Sequence, residues 1–276
     1  MQLRYSPHPN DYSKLGTDGL RRAFLVESLF TPGQCDLVYT DADRAILGSV
    51  VPVAGPIRLV ADAELRAAYF CERRELGVLN IGGSGVVTVD GGTYPMGKLD
   101  CLYAGRGSRE LAFASLTPED PAAFFLLSYP AHAAHPVTHA RMADATPVEL
   151  GAAADANRRT IYKYIHPGGI QSCQLVMGFT KLQEGAVWNT MPAHTHTRRS
   201  EVYLYFDLDA KRRVMHFMGT PQETRHLVVA DRHAVISPSW SIHSGCGTGA
   251  YTFCWGMGGE NQAFDDMDPA PVHLLR

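Results

Sequence analysis

The chain has 276 residues, 45% of them hydrophobic and 19% charged, which excludes a disordered polymer and allows one large domain or two of about 140 residues. Lys plus Arg number 25 against 28 for Asp plus Glu, a formal net charge of −3, so charge gives no reason to expect nucleic acid or an anionic membrane surface as a partner. The most apolar run, Ala122 to Leu127, falls far short of the ~20 residues that a membrane-spanning helix requires.

Residues 1–16 lack the apolar segment of a secretory signal. The six cysteines (Cys35, Cys71, Cys101, Cys173, Cys246 and Cys254) are scattered without a CxxC pair. Both features predict reduced thiols in a cytoplasmic protein. Residues 15–27 are a helix candidate, and residues 61–69 (Ala-Asp-Ala-Glu-Leu-Arg-Ala-Ala-Tyr) are a better one; elsewhere helical periodicity is scarce. Glu75 opens an apolar strand that runs to Ile81. The following Gly82-Gly83-Ser84-Gly85 resembles a phosphate loop, but it opens the strand Val86 to Asp90 instead of a helix. A hairpin turn is therefore expected there. Gly91-Gly92-Thr93-Tyr94 predicts another tight turn, and residues 100–105 another strand. His132, His135 and His139 fall in a stretch broken by Pro130 and Pro136, which reads as a loop.

The Ala-rich residues 142–157 are the natural boundary between an N-terminal domain, 1–150, and a C-terminal domain, 151–276. Beyond it, strands are expected at 202–206, 226–230, 234–238 and 251–255. Residues 72–81 and 197–206 agree in order: a basic pair, then a glutamate (Glu75, Glu201), then an apolar strand. A further strand follows each, at Asp100 and at Ala234. This predicts a duplicated, all-β fold of sandwich or barrel type.

The chemistry concentrates in Pro192-Ala193-His194-Thr195-His196-Thr197-Arg198-Arg199-Ser200-Glu201. On a strand, His194 and His196 point the same way. Glu201 lies at odd spacing and joins them only if residues 197–200 make a turn. His243, in Ser237-Pro238-Ser239-Trp240-Ser241-Ile242-His243, offers a third imidazole. Three neutral nitrogens and a carboxylate suit a divalent metal. The other histidines, from His8 to His273, show no comparable pattern.

This arrangement on a doubled β-domain resembles the cupin superfamily. Five longer runs narrow the likeness: residues 69–83, Trp188 to Pro192, Gly219 to His226, Ser237 to Gly245 and Gly259 to Asp268. They resemble the family of 4-deoxy-L-threo-5-hexosulose-uronate ketol-isomerases over nearly the whole chain. The resemblance implies a bicupin fold, one zinc per chain and a homo-oligomer, most naturally a hexamer. It implies His194, His196, Glu201 and His243 as zinc ligands, and an aldose–ketose isomerisation of 5-dehydro-4-deoxy-D-glucuronate to 3-deoxy-D-glycero-2,5-hexodiulosonate in pectin breakdown. Such a substrate carries a carboxylate, for which Arg199 and Arg225 are the guanidinium candidates. The general base stays open among Glu223, Asp265, Tyr203 and a hydroxide on the metal. The first half has Ala67 to Phe70 where the paired histidines would stand, and Arg106 to Arg109 in place of the stretch ending in His243, so a metal is expected in the second half alone. A metal-dependent dioxygenase and a non-catalytic sugar-binding cupin are the alternatives.

Overall fold

Residues 1–276 are described by a computed structural model, in which period-2 burial sets the architecture. In the Arg199–Phe206 strand, Val202, Leu204 and Phe206 face one core while Tyr203 and Tyr205 face another. Both faces are covered, so the strand is buried throughout.

The strands form two seven-stranded sheets, two four-stranded sheets and one two-stranded ribbon. The first large sheet runs, across its width, Gln2–Arg4, Cys35–Thr40, Ile46–Val50, Phe124–Pro130, Arg74–Asn80, Cys101–Ala104, Thr138–Ala140. The second runs Pro147–Leu150, Arg159–Ile165, Val176–Leu182, Thr252–Gly259, Arg199–Phe206, Ala234–Ser237, Leu25–Val26. Each large sheet is backed by a four-stranded one, and each pair encloses its own apolar interior. The predicted all-β duplication appears in the five inner strands of each large sheet, which follow the same order, while the edge strands differ. A third core joins the halves where the large sheets pack face to face, with Leu79, Phe125, Met177 and Val202 among its members. Glycines allow the close approach: a Cβ on Gly256 would lie 2.1 Å from Leu127 Cδ2.

The halves are interlocked, and sheet membership departs from a division after residue 150. Pro147–Leu150 begins the second large sheet, and Leu25–Val26 closes its far edge against Ala234–Ser237. The Thr17–Phe24 helix, inside the expected 15–27, buries Leu20 and Phe24 in the second half.

Three expectations need correction. Residues 61–69 are not a helix; a 3-10 turn spans only Ala63–Leu65, capped by Asp62 and ended by Arg66 at φ 47°. That segment buries its apolar side chains only in part, Leu65 against the core, and propensity alone does not sustain a helix. Gly82 to Ser84 form no hairpin, because Arg74–Asn80 lies in the large sheet and Gly85–Val89 in the small one. A Cβ on Gly83 would lie 2.1 Å from Asp120 O, so this crossing needs the bare backbone. The true hairpin follows at Asp90 and Gly91, both at positive φ. Finally, Glu75 and Glu201 are not equivalent. Glu75 shares a face with Leu79, toward the other half, whereas Glu201 shares one with Tyr203, toward the barrel interior. A one-residue slip in a strand exchanges its faces. All six cysteines are free thiols, and no helix is long and apolar enough to cross a membrane.

Candidate metal centre

Four short segments converge at the mouth of the second barrel. His194 lies in Ala193–Thr195, which pairs with Asp268–Ala270. His196 follows and starts a turn, closed by the Arg199 N–H donating to His196 O at 3.0 Å. That turn brings Glu201 onto the face of the histidines, as the odd spacing required. His243 comes from a second turn, closed by Ser241 N–H on Pro238 O at 2.9 Å, just before the Ser244–Gly247 strand.

One ligand atom from each of His194, His196, Glu201 and His243 falls within 4.8 Å of all the others. Glu201 Oε2 is 3.1 Å from His196 Nε2 and 3.0 Å from His243 Nε2, which in turn lies 3.0 Å from His194 Nε2. His196, Glu201 and His243 are buried, and His194 is partly open at the mouth. His196 Nδ1 lies 2.8 Å from Arg199 O, an acceptor only. Nδ1 therefore carries the proton, and in the neutral ring the Nε2 lone pair faces the carboxylate. Lone pairs aimed at one another in a buried space call for a cation between them. In a tetrahedral zinc site with bonds of about 2.0–2.1 Å, donor atoms stand about 3.3 Å apart. The closest donor pairs here are 3.0–3.1 Å apart and all four donors lie within 4.8 Å of one another, a cluster that could close around a divalent metal ion.

Electrostatics agree with the donor role. Burial and the neighbouring His243 hold the His194 imidazole down to about 3, neutral with a free lone pair. Burial opposes ionisation of Glu201, but His243 and His196 outweigh it and hold the carboxyl well below its usual range. His196 runs the other way: burial lowers its pKa, but Glu201 more than offsets this and the net shift is upward, so without a cation between them the carboxylate draws a proton onto the ring.

Above the cluster opens a cavity of about 320 Å³. Its walls are largely apolar, with Met191, Phe253, Trp255, Met257, Phe264 and Met267, and its polar lining includes Thr180, Thr190 and Tyr203. Tyr203 Oη lies 3.0 Å from Thr190 Oγ1, and its ring centroid is 5.6 Å from that of His243.

The remaining expected site residues fare differently. Arg199 touches the cavity but is 1% exposed and already engaged: it pairs with Asp266 Oδ1 at 2.7 Å and also donates to Asn261 Oδ1. Arg225 is away from the cavity, held by Glu223 at 2.6 Å and by Ser13 O at 2.9 Å. This also removes Glu223 from the list of bases, and Asp265 is exposed and outside the lining. Of the protein bases considered, Tyr203 alone borders the cavity. Two basic lining residues were missed, Arg159 and Lys163. Period-2 reading of Arg-Thr-Ile-Tyr-Lys-Tyr-Ile, residues 159–165, would have placed both on one strand face.

Arg199 is instead half of a clasp. Arg198 donates to Asp266 Oδ2 and to Asp268 Oδ2, each at 2.9 Å, and Asn261 donates to Asp266 Oδ2 at 2.7 Å. The segment between Asn261 and Asp268 carries Phe264 and Met267 over the cavity. Arg199 in particular holds the Asp266 carboxyl well below the usual carboxylate range. A depressed carboxylate stabilises fully above its unfolded value of about 3.9 and loses this as pH falls through the folded one. The clasp therefore persists through neutral and mildly acidic pH. Asp266→Ala is expected to raise KM severalfold and to expose residues 260–268 to limited proteolysis, with metal content retained. Unchanged cleavage rates would show that the clasp does not hold the segment.

A barrel mouth with a His3Glu cluster over a buried floor, in a duplicated two-sheet sandwich, defines a cupin-fold protein. An IolB-like protein from Salmonella typhimurium is similar, with TM-score 0.69 at 14% identity over 89% of this chain and 96% of that one. Oxalate decarboxylase from Bacillus subtilis is similar, at 0.57 and 12% over 79% and 70%. The family model described as KduI/IolB matches residues 24–272, and the chain belongs to that family. Proteins named 4-deoxy-L-threo-5-hexosulose-uronate ketol-isomerase are 53% identical in Shouchella clausii over 276 residues, and 52% identical in Dickeya dadantii over 278, with 100% of each chain covered.

Proposed function

We propose that this chain is a ketol-isomerase that converts 5-dehydro-4-deoxy-D-glucuronate to 3-deoxy-D-glycero-2,5-hexodiulosonate, with one zinc held by His194, His196, Glu201 and His243. Full-length identity of 53% to a ketol-isomerase, together with the four donors clustered under a cavity, carries the reading. The reaction moves a hydrogen from C2 to C1, and its barrier is the weak acidity of the C2–H bond. A divalent ion held by these four residues would supply Lewis acidity to the substrate's carbonyl and neighbouring hydroxyl oxygens, worth several kcal/mol.

The protein supplies the surroundings. The apolar wall of Phe253, Trp255, Met257 and Phe264 keeps bulk water from the reacting carbons. Burial raises the pKa of Tyr203 well above 10, so its phenol keeps its proton at neutral pH and can donate a hydrogen bond to a substrate oxygen as charge develops. Thr190 orients that hydroxyl. Tyr203→Phe should lower kcat by roughly a hundredfold, the low end of the loss for one such hydrogen-bond donor, with metal content unchanged. Wild-type kcat would remove Tyr203 from this role.

A coupled assay on the unsaturated-uronate product of a pectin lyase, before and after chelation, tests the function. Turnover is expected from the holoenzyme, loss on chelation, and recovery with about one equivalent of zinc. Full activity in the chelated protein would overturn the metal role, and two equivalents per chain would overturn the single site.

A further inference from the structure

Of the charged side chains lining the cavity, Glu201 alone is acidic, and it faces the histidines. Arg199 is neutralised by Asp266. Two cations remain. Arg159 donates to the Asn157 carbonyl at 2.9 Å, and Lys163 Nζ lies 4.4 Å from the centroid of Phe264. Neither has a carboxylate within ion-pair distance, although both are half-buried in a cavity wall. An unpaired cation on an apolar wall is costly to desolvate, and an anion arriving from solution relieves that cost.

Sheet register sets Lys163 in line with Tyr203, two residues beyond Glu201, and Arg159 lies four residues earlier on the same strand face, also lining the cavity. Lys163 pairs with Gly178, Gly178 with Trp255, and Trp255 with Tyr203, one row across four strands. Gly178 has no side chain, and a Cβ there would lie 2.5 Å from Trp255 Cζ2. The six-membered ring of the indole thus occupies the space over Gly178, between the two ends. Three strand spacings of about 4.8 Å separate the backbones by roughly 14 Å. Five C–C bonds of about 1.5 Å zigzag over about 6 Å, and side chains reaching in from both ends cover the rest.

We infer that Arg159 and Lys163 form a carboxylate subsite that anchors the far end of an open-chain sugar acid while its carbonyl end meets the His3Glu cluster. This rests on the proposed isomerase reading and adds to it the determinant that favours an acid over a neutral sugar. Arg159 supplies a planar fork for the two oxygens, and Lys163 a point charge. The subsite acts on binding and leaves the proton transfer to groups at the other end.

The test uses the zinc-loaded enzyme and the variants Arg159→Met and Lys163→Met, with Arg159→Lys and Lys163→Arg as charge-retaining controls. For the deoxyuronate, KM should rise at least tenfold in each Met variant, with a smaller change in kcat and unaltered zinc content. The charge-retaining variants should recover part of the loss. A readout independent of turnover is titration with D-galacturonate and D-galactose, followed by tryptophan fluorescence. The acid should bind at least tenfold more tightly than the neutral sugar, and the Met variants should erase that preference. Unchanged KM and unchanged acid preference in both Met variants would overturn the subsite. Equal losses in the Met and charge-retaining variants would also overturn it, since packing and not charge would then be responsible. If the deoxyuronate is not turned over yet D-galacturonate binds with dependence on Arg159, the isomerase reading falls and the subsite stands.

Discussion

Glu201→Gln should leave a folded protein with about a tenth or less of the wild-type zinc and a kcat/KM lowered at least a thousandfold, a loss of roughly 4 kcal/mol in transition-state stabilisation. The amide matches the carboxylate in shape but removes the only negative charge in a donor set otherwise made of neutral imidazoles. His196 and His243, each about 3 Å from Glu201 Oε2, would face an amide that cannot balance a divalent ion. Thermal unfolding should stay cooperative and shift only modestly, because the barrel has an apolar core of its own and does not depend on metal to fold. Metal analysis and the coupled assay on the same preparation check this; full activity without zinc would refute the four-ligand assignment.

Glu75→Ala should cost more stability than any substitution at the metal centre. Glu75 is fully buried and accepts from Tyr103 Oη at 2.7 Å and from the backbone N–H groups of Cys173, Gln174 and Leu175 at 2.7, 2.9 and 2.8 Å. Removing it strands four donors, at about 1–3 kcal/mol for each unsatisfied group. Relaxation makes these costs non-additive. We expect about 4–5 kcal/mol in urea unfolding, a large share of the 5–15 kcal/mol typical of a domain. Glu75→Gln, which keeps one acceptor oxygen, should lose less than half of this. An unfolding midpoint equal to wild type in Glu75→Ala would show that the carboxylate does not tie the halves together.

The His3Glu cluster was legible because its signal is local. HxH alternation, a four-residue turn and a carboxylate are all contained in residues 194–201, and only His243 had to come from elsewhere. The all-β duplication was legible from strand patterning. What could not be read depended on partners distant in sequence. Arg199 looked available until Asp266 and Asn261 were found on it, and Arg225 until Glu223 and Ser13 were. The repeat alignment set Glu75 against Glu201, yet the two face opposite sides, because identity of order does not fix register to one residue. Residues 61–69 had helical composition but bury their apolar side chains only in part, Leu65 against the first half's core, so local preference gave way to tertiary context.

The early segment seated on the late half has a consequence for biosynthesis. Tyr12 Oη accepts from the Thr220 N–H at 2.8 Å, and its ring lies 4.7 Å from that of Trp240, in the turn that presents His243. Leu25 meets Val235 across the sheet edge. A nascent chain emerging at about 5–20 residues per second must therefore leave Tyr12 and the Leu25 edge without these second-half partners until about two hundred further residues have appeared. Closing so long a loop is entropically slow. The first half cannot finish as an independent module on the ribosome with this segment in place, and the pocket for the ion is braced only once nearly the entire polypeptide has been made. The four donors of the His3Glu cluster are thereby brought together only late in synthesis, since His243 stands 33 residues from the last.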